Sequence, residues 1–197
     1  MLTAVHAAHE EKIVHSDLKP ANFCLVEGSL KLIDFGIAKA IANDTTNIHR
    51  DTQIGTLNYM SPEALNDTNA GTGNQKLMKL GRSSDVWSLG CILYQMIYGQ
   101  GPFANLKTLY QKIRAIPDPT HTIQFPEKIR FTKRANQENQ IEEPQEIDVD
   151  KEAMNVMRLC LNRNPKQRPT IPELLAHPFL RPGYINSPSI IIVTSTH

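Results

Sequence analysis

Val14-His15-Ser16-Asp17-Leu18-Lys19-Pro20-Ala21-Asn22 decides how this chain is read, and Asp34-Phe35-Gly36 follows twelve positions after its asparagine. Four polar residues in these stretches combine into a chemistry. Asp17 offers a carboxylate able to take a proton, and Lys19 a compact point cation. Asn22 and Asp34 offer hard oxygen ligands, which suit Mg²⁺. Any one of them alone is an ordinary solvated polar residue. As a set at this spacing they match what transfer of a phosphoryl group from a metal-bound nucleotide requires.

Outward from these stretches, the composition is that of a soluble globular protein. The 197 residues suffice for one sizeable core, with 40% hydrophobic and 21% charged residues. A formal net charge of +1 gives no whole-chain case for nucleic acid or an acidic membrane surface as partner. Cys24, Cys91 and Cys160 are far apart and form no metal-ligand spacing. This sparse, odd set fits a reducing compartment and reads as small apolar core residues. The apolar run Ile190-Ile191-Ile192-Val193 is far shorter than the ~20 residues of a membrane span.

Periodicity places the motifs on elements. Residues 2–12 read as the end of an amphipathic helix, with Leu2, Val5, Ala8 and His9 on one side. No capping residue precedes Leu2, so the pattern reads as a helix entered midway and the chain as a fragment. Strands are expected at Phe23–Val26 and Leu30–Ile33 around the turn Glu27-Gly28-Ser29. Residues 37–60, rich in Thr, Asn and Asp, read as a long mobile loop. A helix over Ser84–Tyr98 is apolar on most sides and should be buried, ending at Gly99-Gln100-Gly101-Pro102. Further helices are expected over Leu106–Ala115, Lys151–Leu161 and Ile171–Ala176, the last with Pro172 in its first turn. The charged stretch 127–150 reads as a flexible inserted loop and 182–197 as an unstructured tail.

Five blocks in order carry a family resemblance: residues 15–22, Asp34-Phe35-Gly36, Ser61-Pro62-Glu63, Asp85-Val86-Trp87-Ser88-Leu89-Gly90, and Arg168 within Pro165-Lys166-Gln167-Arg168-Pro169. The chain resembles the carboxy-terminal lobe of a eukaryotic protein kinase. The fold this implies is mainly α, a helical bundle with short β-hairpins at the catalytic loop. It covers residues 1–181 as a partial kinase domain, with the amino-terminal lobe absent from this chain. His-Ser-Asp at residues 15–17, the long segment Asn66–Arg82, and the runs Leu30–Ala38 and Ile171–Pro178 narrow the resemblance to the monopolar-spindle (Mps1/TTK) kinases. That family implies a transferase of dual specificity using ATP and Mg²⁺. It further implies a role in the spindle assembly checkpoint of the cell cycle, protein substrates and kinetochore partners, and a nuclear, kinetochore and cytoplasmic location. It implies no direct contact with nucleic acid or membrane.

The resemblance assigns roles residue by residue. Asp17 would orient the acceptor hydroxyl and take its proton, and Lys19 would sit on the γ-phosphate. Asn22 and Asp34 would hold Mg²⁺, and Cys24 would lie beneath the adenine, where the family has an apolar residue. His15 and Phe35 resemble spine residues that lock Asp34 to the catalytic loop. Asp85 would accept backbone hydrogen bonds from that loop. Glu63 and Arg168 resemble a buried ion pair. Lys19-Pro20 and Thr56, which would bridge the catalytic Asp and Lys, point to serine/threonine acceptors. Thr45, Thr46 and Thr52 are candidate autophosphorylation sites. Ser16 stands where an arginine usually grips an activating phosphate, leaving Lys39 as a candidate cation.

The glycine-rich loop and the lysine–glutamate pair that grip the nucleotide do not occur in these 197 residues. The isolated chain is therefore expected to be inactive. The alternative reading is a non-catalytic interaction module that docks substrates or competes with a full-length kinase. A small-molecule kinase is disfavoured by Phe35-Gly36 and by the Glu63/Arg168 pairing.

Overall fold

The computed structural model describes residues 1–33, 57–69, 81–131, 144–181 and 183–184. Six α-helices run through them: α1 (Leu2–Glu10), α2 (Pro62–Asn69), α3 (Arg82–Tyr98), α4 (Leu109–Ala115), α5 (Lys151–Cys160) and α6 (Ile171–Leu175). Short 3₁₀ turns occur at Pro20–Asn22, Pro165–Gln167 and Pro178–Leu180. Two antiparallel strand pairs complete the described elements: β1 (Phe23–Val26) with β2 (Ser29–Leu32), and β3 (Lys128–Phe131) with β4 (Gln145–Asp148). The chain is thus helix-rich, with two small hairpins.

α3 is the hub. It buries residues on every side because its sequence is apolar almost all round. Trp87, Cys91, Tyr94 and Ile97 face one apolar cluster with Leu65, Phe103, Ile116 and Met157. Val86 and Leu89 face a second, with Val5, Leu18, Ile171 and Leu174. Burying each such side chain stabilises the fold by roughly 1.5–3 kcal/mol. α5 packs so closely on α3 that a Cβ added at Gly90 would lie 2.6 Å from the Cys160 Cβ. Gly99 ends α3 in the left-handed region, φ +72°, which glycine adopts without strain.

Local capping sets most boundaries. α4 begins at Leu109, three residues later than the periodicity predicts. The Thr108 hydroxyl accepts from Gln111 N–H, and the Gln111 side chain accepts from Thr108 N–H, closing a capping box. Thr170 and Glu173 do the same for α6. The Asp150 carboxylate caps α5 through the N–H groups of Glu152 and Ala153.

Three expectations are corrected. The stretch 127–150 is not an irregular loop at its ends: Ile129 pairs with Ile147 and Arg130 with Glu146 in the β3–β4 register. Charged residues at four of the eight paired positions mask the short apolar alternation that a strand needs. Residues 57–60, read as the end of a mobile loop, are packed: Leu57 is buried and Tyr59 Oη donates to Gln95 Oε1 at 2.5 Å. The helix α2 was not anticipated; Pro62 sits at its start, where a missing N–H does no harm. The tail begins tethered, with Tyr184 Oη donating to Asp150 at 3.2 Å.

Candidate active site

The candidate site is built on the turn that leaves α1. Ile13 N–H reaches Ala8 O at 2.9 Å and Lys12 N–H reaches His9 O at 3.1 Å, with Lys12 at φ +60°. This is a Schellman closure with a lysine in the position glycine usually takes. It swings the chain into His15-Ser16-Asp17. Ser16 again has positive φ, +65°, a conformation that persists only where the surroundings enforce it.

Asp85 enforces it. Its side chain lies in the first turn of α3 with no exposure to solvent. Oδ2 accepts from His15 N–H at 2.9 Å and Oδ1 from Ser16 N–H at 2.8 Å. Oδ2 also meets His9 Nε2 at 2.8 Å, so that one buried carboxylate ties α1, α3 and the loop together. Arg82 Nη2 adds a bond to His9 O. His9 and Arg82 were missed as contributors. Periodicity marked His9 as inward-facing, but nothing local pairs it with a residue 76 positions away.

Asp17 and Lys19 emerge beyond this anchor. Their side chains are 29% and 28% exposed, and Lys19 Nζ lies 3.5 Å from Asp17 Oδ2. Both are reachable from solvent, as groups acting on a substrate must be. The Asp17 N–H points to His15 Nδ1 at 3.4 Å. Asn22 is buried, and its Oδ1 accepts from Lys19 N–H at 3.0 Å. Its backbone carbonyl takes Ile33 N–H at 2.7 Å, which holds the end of β2 against the loop. Asn22 Oδ1 is thus held by the Lys19 backbone, and together with the Asp17 carboxylate and the Lys19 cation it makes a set of groups whose chemistry suits a magnesium-bound phosphate chain.

Asp34, Phe35 and Thr56 lie outside the described residues, as do Lys39 and the candidate phosphosites Thr45, Thr46 and Thr52. Among the described residues no group of three or more His, Cys, Asp or Glu is arranged to hold a metal. Cys24 is exposed on β1, on a hairpin where Leu25 and Val26 are also exposed.

Glu63 and Arg168 meet in a two-pronged pair, with Nη1 2.6 Å from Oε1 and Nη2 2.8 Å from Oε2. The same guanidinium donates to the carbonyls of Asn162 and Ser83 and lies 5.1 Å from the Trp87 ring centroid. Ser61 Oγ and Ser84 Oγ are 2.8 Å apart, and Ser88 Oγ donates to Tyr59 O. The start of α2 and the segment before it are thereby fastened to α3, the element that holds Asp85.

Comparison with known proteins places this geometry. The profile of the protein kinase domain matches residues 1–180. The chain is 62% identical over 183 residues to serine/threonine-protein kinase mph1 of Schizosaccharomyces pombe, covering 92% of this chain and 26% of that protein. It is 54% identical over 182 residues to probable serine/threonine-protein kinase mps1 of Dictyostelium discoideum, covering 92% and 16%. With dual specificity protein kinase TTK of Mus musculus it shares 49% over 182 residues, covering 92% and 19%. The chain spans about a quarter or less of the length of these relatives.

Proposed function

The chain belongs to the protein kinase family, with strong homology to its Mps1/TTK members, and from that premise we propose that it forms the carboxy-terminal catalytic lobe of a kinase that phosphorylates serine and threonine, with tyrosine as a second acceptor. The observation that carries this reading is the partly exposed Asp17–Lys19 pair, with Asn22 bonded to the Lys19 backbone, on a loop fixed by the buried Asp85. Kinship with the Mps1/TTK proteins extends the proposal to a checkpoint role at kinetochores.

Asp17 would align the acceptor hydroxyl and take its proton, a role that asks only for a carboxylate within hydrogen-bond reach. Lys19, close to that carboxylate, would neutralise charge on the group being transferred. Asn22, with Asp34, would hold Mg²⁺, which when bound neutralises the phosphate oxygens and orients the nucleotide. Asp85 acts at one remove. By holding the N–H groups of His15 and Ser16 it keeps Asp17 in place before substrate arrives, so that no binding energy is spent on ordering the loop. Glu63 and Arg168 brace the segment leading into α2.

The matched stretch of this chain, grafted into the fission-yeast kinase mph1 in place of its own, provides the test. The graft is expected to transfer phosphate from Mg-ATP to a generic protein acceptor. Asp17→Asn is expected to lower kcat by about 10²–10⁴-fold with little change in KM. The 197-residue chain alone is expected to transfer none, because its sequence holds no glycine-rich loop and no lysine–glutamate pair for the nucleotide. A graft that folds but is inactive, or one indifferent to Asp17→Asn, overturns the reading.

A further inference from the structure

The first turn of α3 holds more than the catalytic loop. Arg82 and Asp85 stand three positions apart, so their side chains share one side of the helix. Asp85 Oδ2 lies 2.8 Å from Nε2 of the His9 ring, and the same oxygen accepts from His15 N–H at 2.9 Å. Arg82 Nη2 donates to the carbonyl of His9. One residue of α1 is therefore held twice from a single turn of α3, at its backbone and at its ring.

This hold falls where α1 is weakest. His9 is the last residue but one of the helix, and its carbonyl is among those that no helical N–H can reach. Lys12 N–H meets it at 3.1 Å, closing the turn with Lys12 at φ +60°. Glu10 and Glu11 add negative charge at the end of the helix that is already negative. The Arg82 guanidinium brings a positive charge to that end from another element. Arg82 is itself exposed, whereas His9 is 4% exposed and Asp85 0%. A substitution at Arg82 thus opens no cavity in the core.

We infer that Arg82 is a positioning residue for the catalytic loop. By fixing the His9 carbonyl it keeps the imidazole on Asp85 Oδ2, and so keeps that carboxylate turned toward the N–H groups of His15 and Ser16. Those two groups set the path of the chain into Asp17. If the end of α1 moves away, Oδ2 loses one of its two donors where water cannot replace it. The carboxylate then has reason to turn from the loop, and Ser16 loses the support that its positive φ requires. The consequence for phosphate transfer rests on the kinase reading above; the consequence for the loop does not.

Amide hydrogen exchange of the 197-residue chain, read residue by residue by NMR, tests the loop. Arg82→Gln is expected to speed exchange of the His15 and Ser16 N–H groups about fivefold or more, and to leave Cys91 and Ile92 in the middle of α3 unchanged. Arg82→Lys, which keeps a cationic donor, should stay within about twofold of the native rates. Unchanged exchange at His15 and Ser16 in Arg82→Gln overturns the inference, as does a lysine variant that behaves like the glutamine one. Equal acceleration at Cys91 and Ile92, or a glutamine variant that does not fold, also overturns it, by making Arg82 a residue of general stability. In the mph1 graft, Arg82→Gln should lower kcat about fivefold with the KM for ATP within about twofold, and Arg82→Lys should restore it. A raised KM at unchanged kcat overturns the inference. A graft inactive with Arg82 in place overturns the kinase reading, and the exchange rates then decide the role of Arg82.

Discussion

Arg168 shows what one side chain can decide. Its guanidinium meets both oxygens of Glu63, donates to the carbonyls of Asn162 and Ser83, and lies against Trp87. The Arg168 side chain has no exposure and that of Glu63 11%, so neither charge retains much water. Removing one partner strands the other, and Arg168→Met or Glu63→Gln is expected to cost about 3–5 kcal/mol. Replacing both with apolar residues should cost much less than the sum. Urea unfolding followed through Trp87, the single tryptophan, reads both quantities. If the single and double variants add, the pair is not coupled. The identity of this pair came from a family likeness and not from spacing, since 105 positions separate its members.

At the scale of elements, the contact between α3 and α5 is the tightest test. A Cβ at Gly90 would lie 2.6 Å from the Cys160 Cβ and 3.2 Å from Leu161 Cγ. The Cys160 Cβ is fixed by its own backbone and cannot swing aside as a flexible side-chain end would. Gly90→Ala therefore sets a gain of roughly 1 kcal/mol in helix propensity against overpacking of typically 1–3 kcal/mol or more. We expect a net loss of stability, with a lower thermal midpoint and part of the loss recovered by Cys160→Gly. A stabilised Gly90→Ala protein would mean the helices can separate without penalty. The periodicity of residues 84–98 made the burial of α3 legible. It gave no sign of which glycine faces its neighbour at closest approach.

Across the whole molecule, burial sets the chemistry of the thiols and phenols. Cys24 is exposed while Cys91 and Cys160 are buried. Burial pushes the Cys91 thiol up and the Cys160 thiol up to about 12. It also raises Tyr59 and Tyr94, and Tyr98 to about 12. At about pH 8 a thiol reagent should label Cys24 quickly in the native chain, and all three cysteines only after unfolding. A native chain that yields three fast thiols would contradict the packing of α3 on α5. The same groups predict alkaline sensitivity. Their folded values are raised, so the stability they contribute is full below the ordinary values of 9.0 and 10.0. It is lost as pH rises through the folded ones, because the unfolded chain ionises first. Denaturant midpoints measured from about pH 8 to 11 should fall steadily.

What the sequence determined by itself was local. The strand over Phe23–Val26 and the glycine stop at Gly99 were read from neighbouring residues alone, and the capping boxes at Thr108 and Thr170, which periodicity did not anticipate, likewise act between residues a few positions apart. The order of the motifs gave the kinase family and the polar set Asp17, Lys19 and Asn22. Only the tertiary structure decided which distant groups share a charge or a close contact. It brought His9 to Asp85, Arg168 to both oxygens of Glu63, and Gly90 against Cys160. The physical reason is that a buried carboxylate binds whichever donors the folded chain brings to it. That choice belongs to the path of the backbone, which no short window of sequence contains.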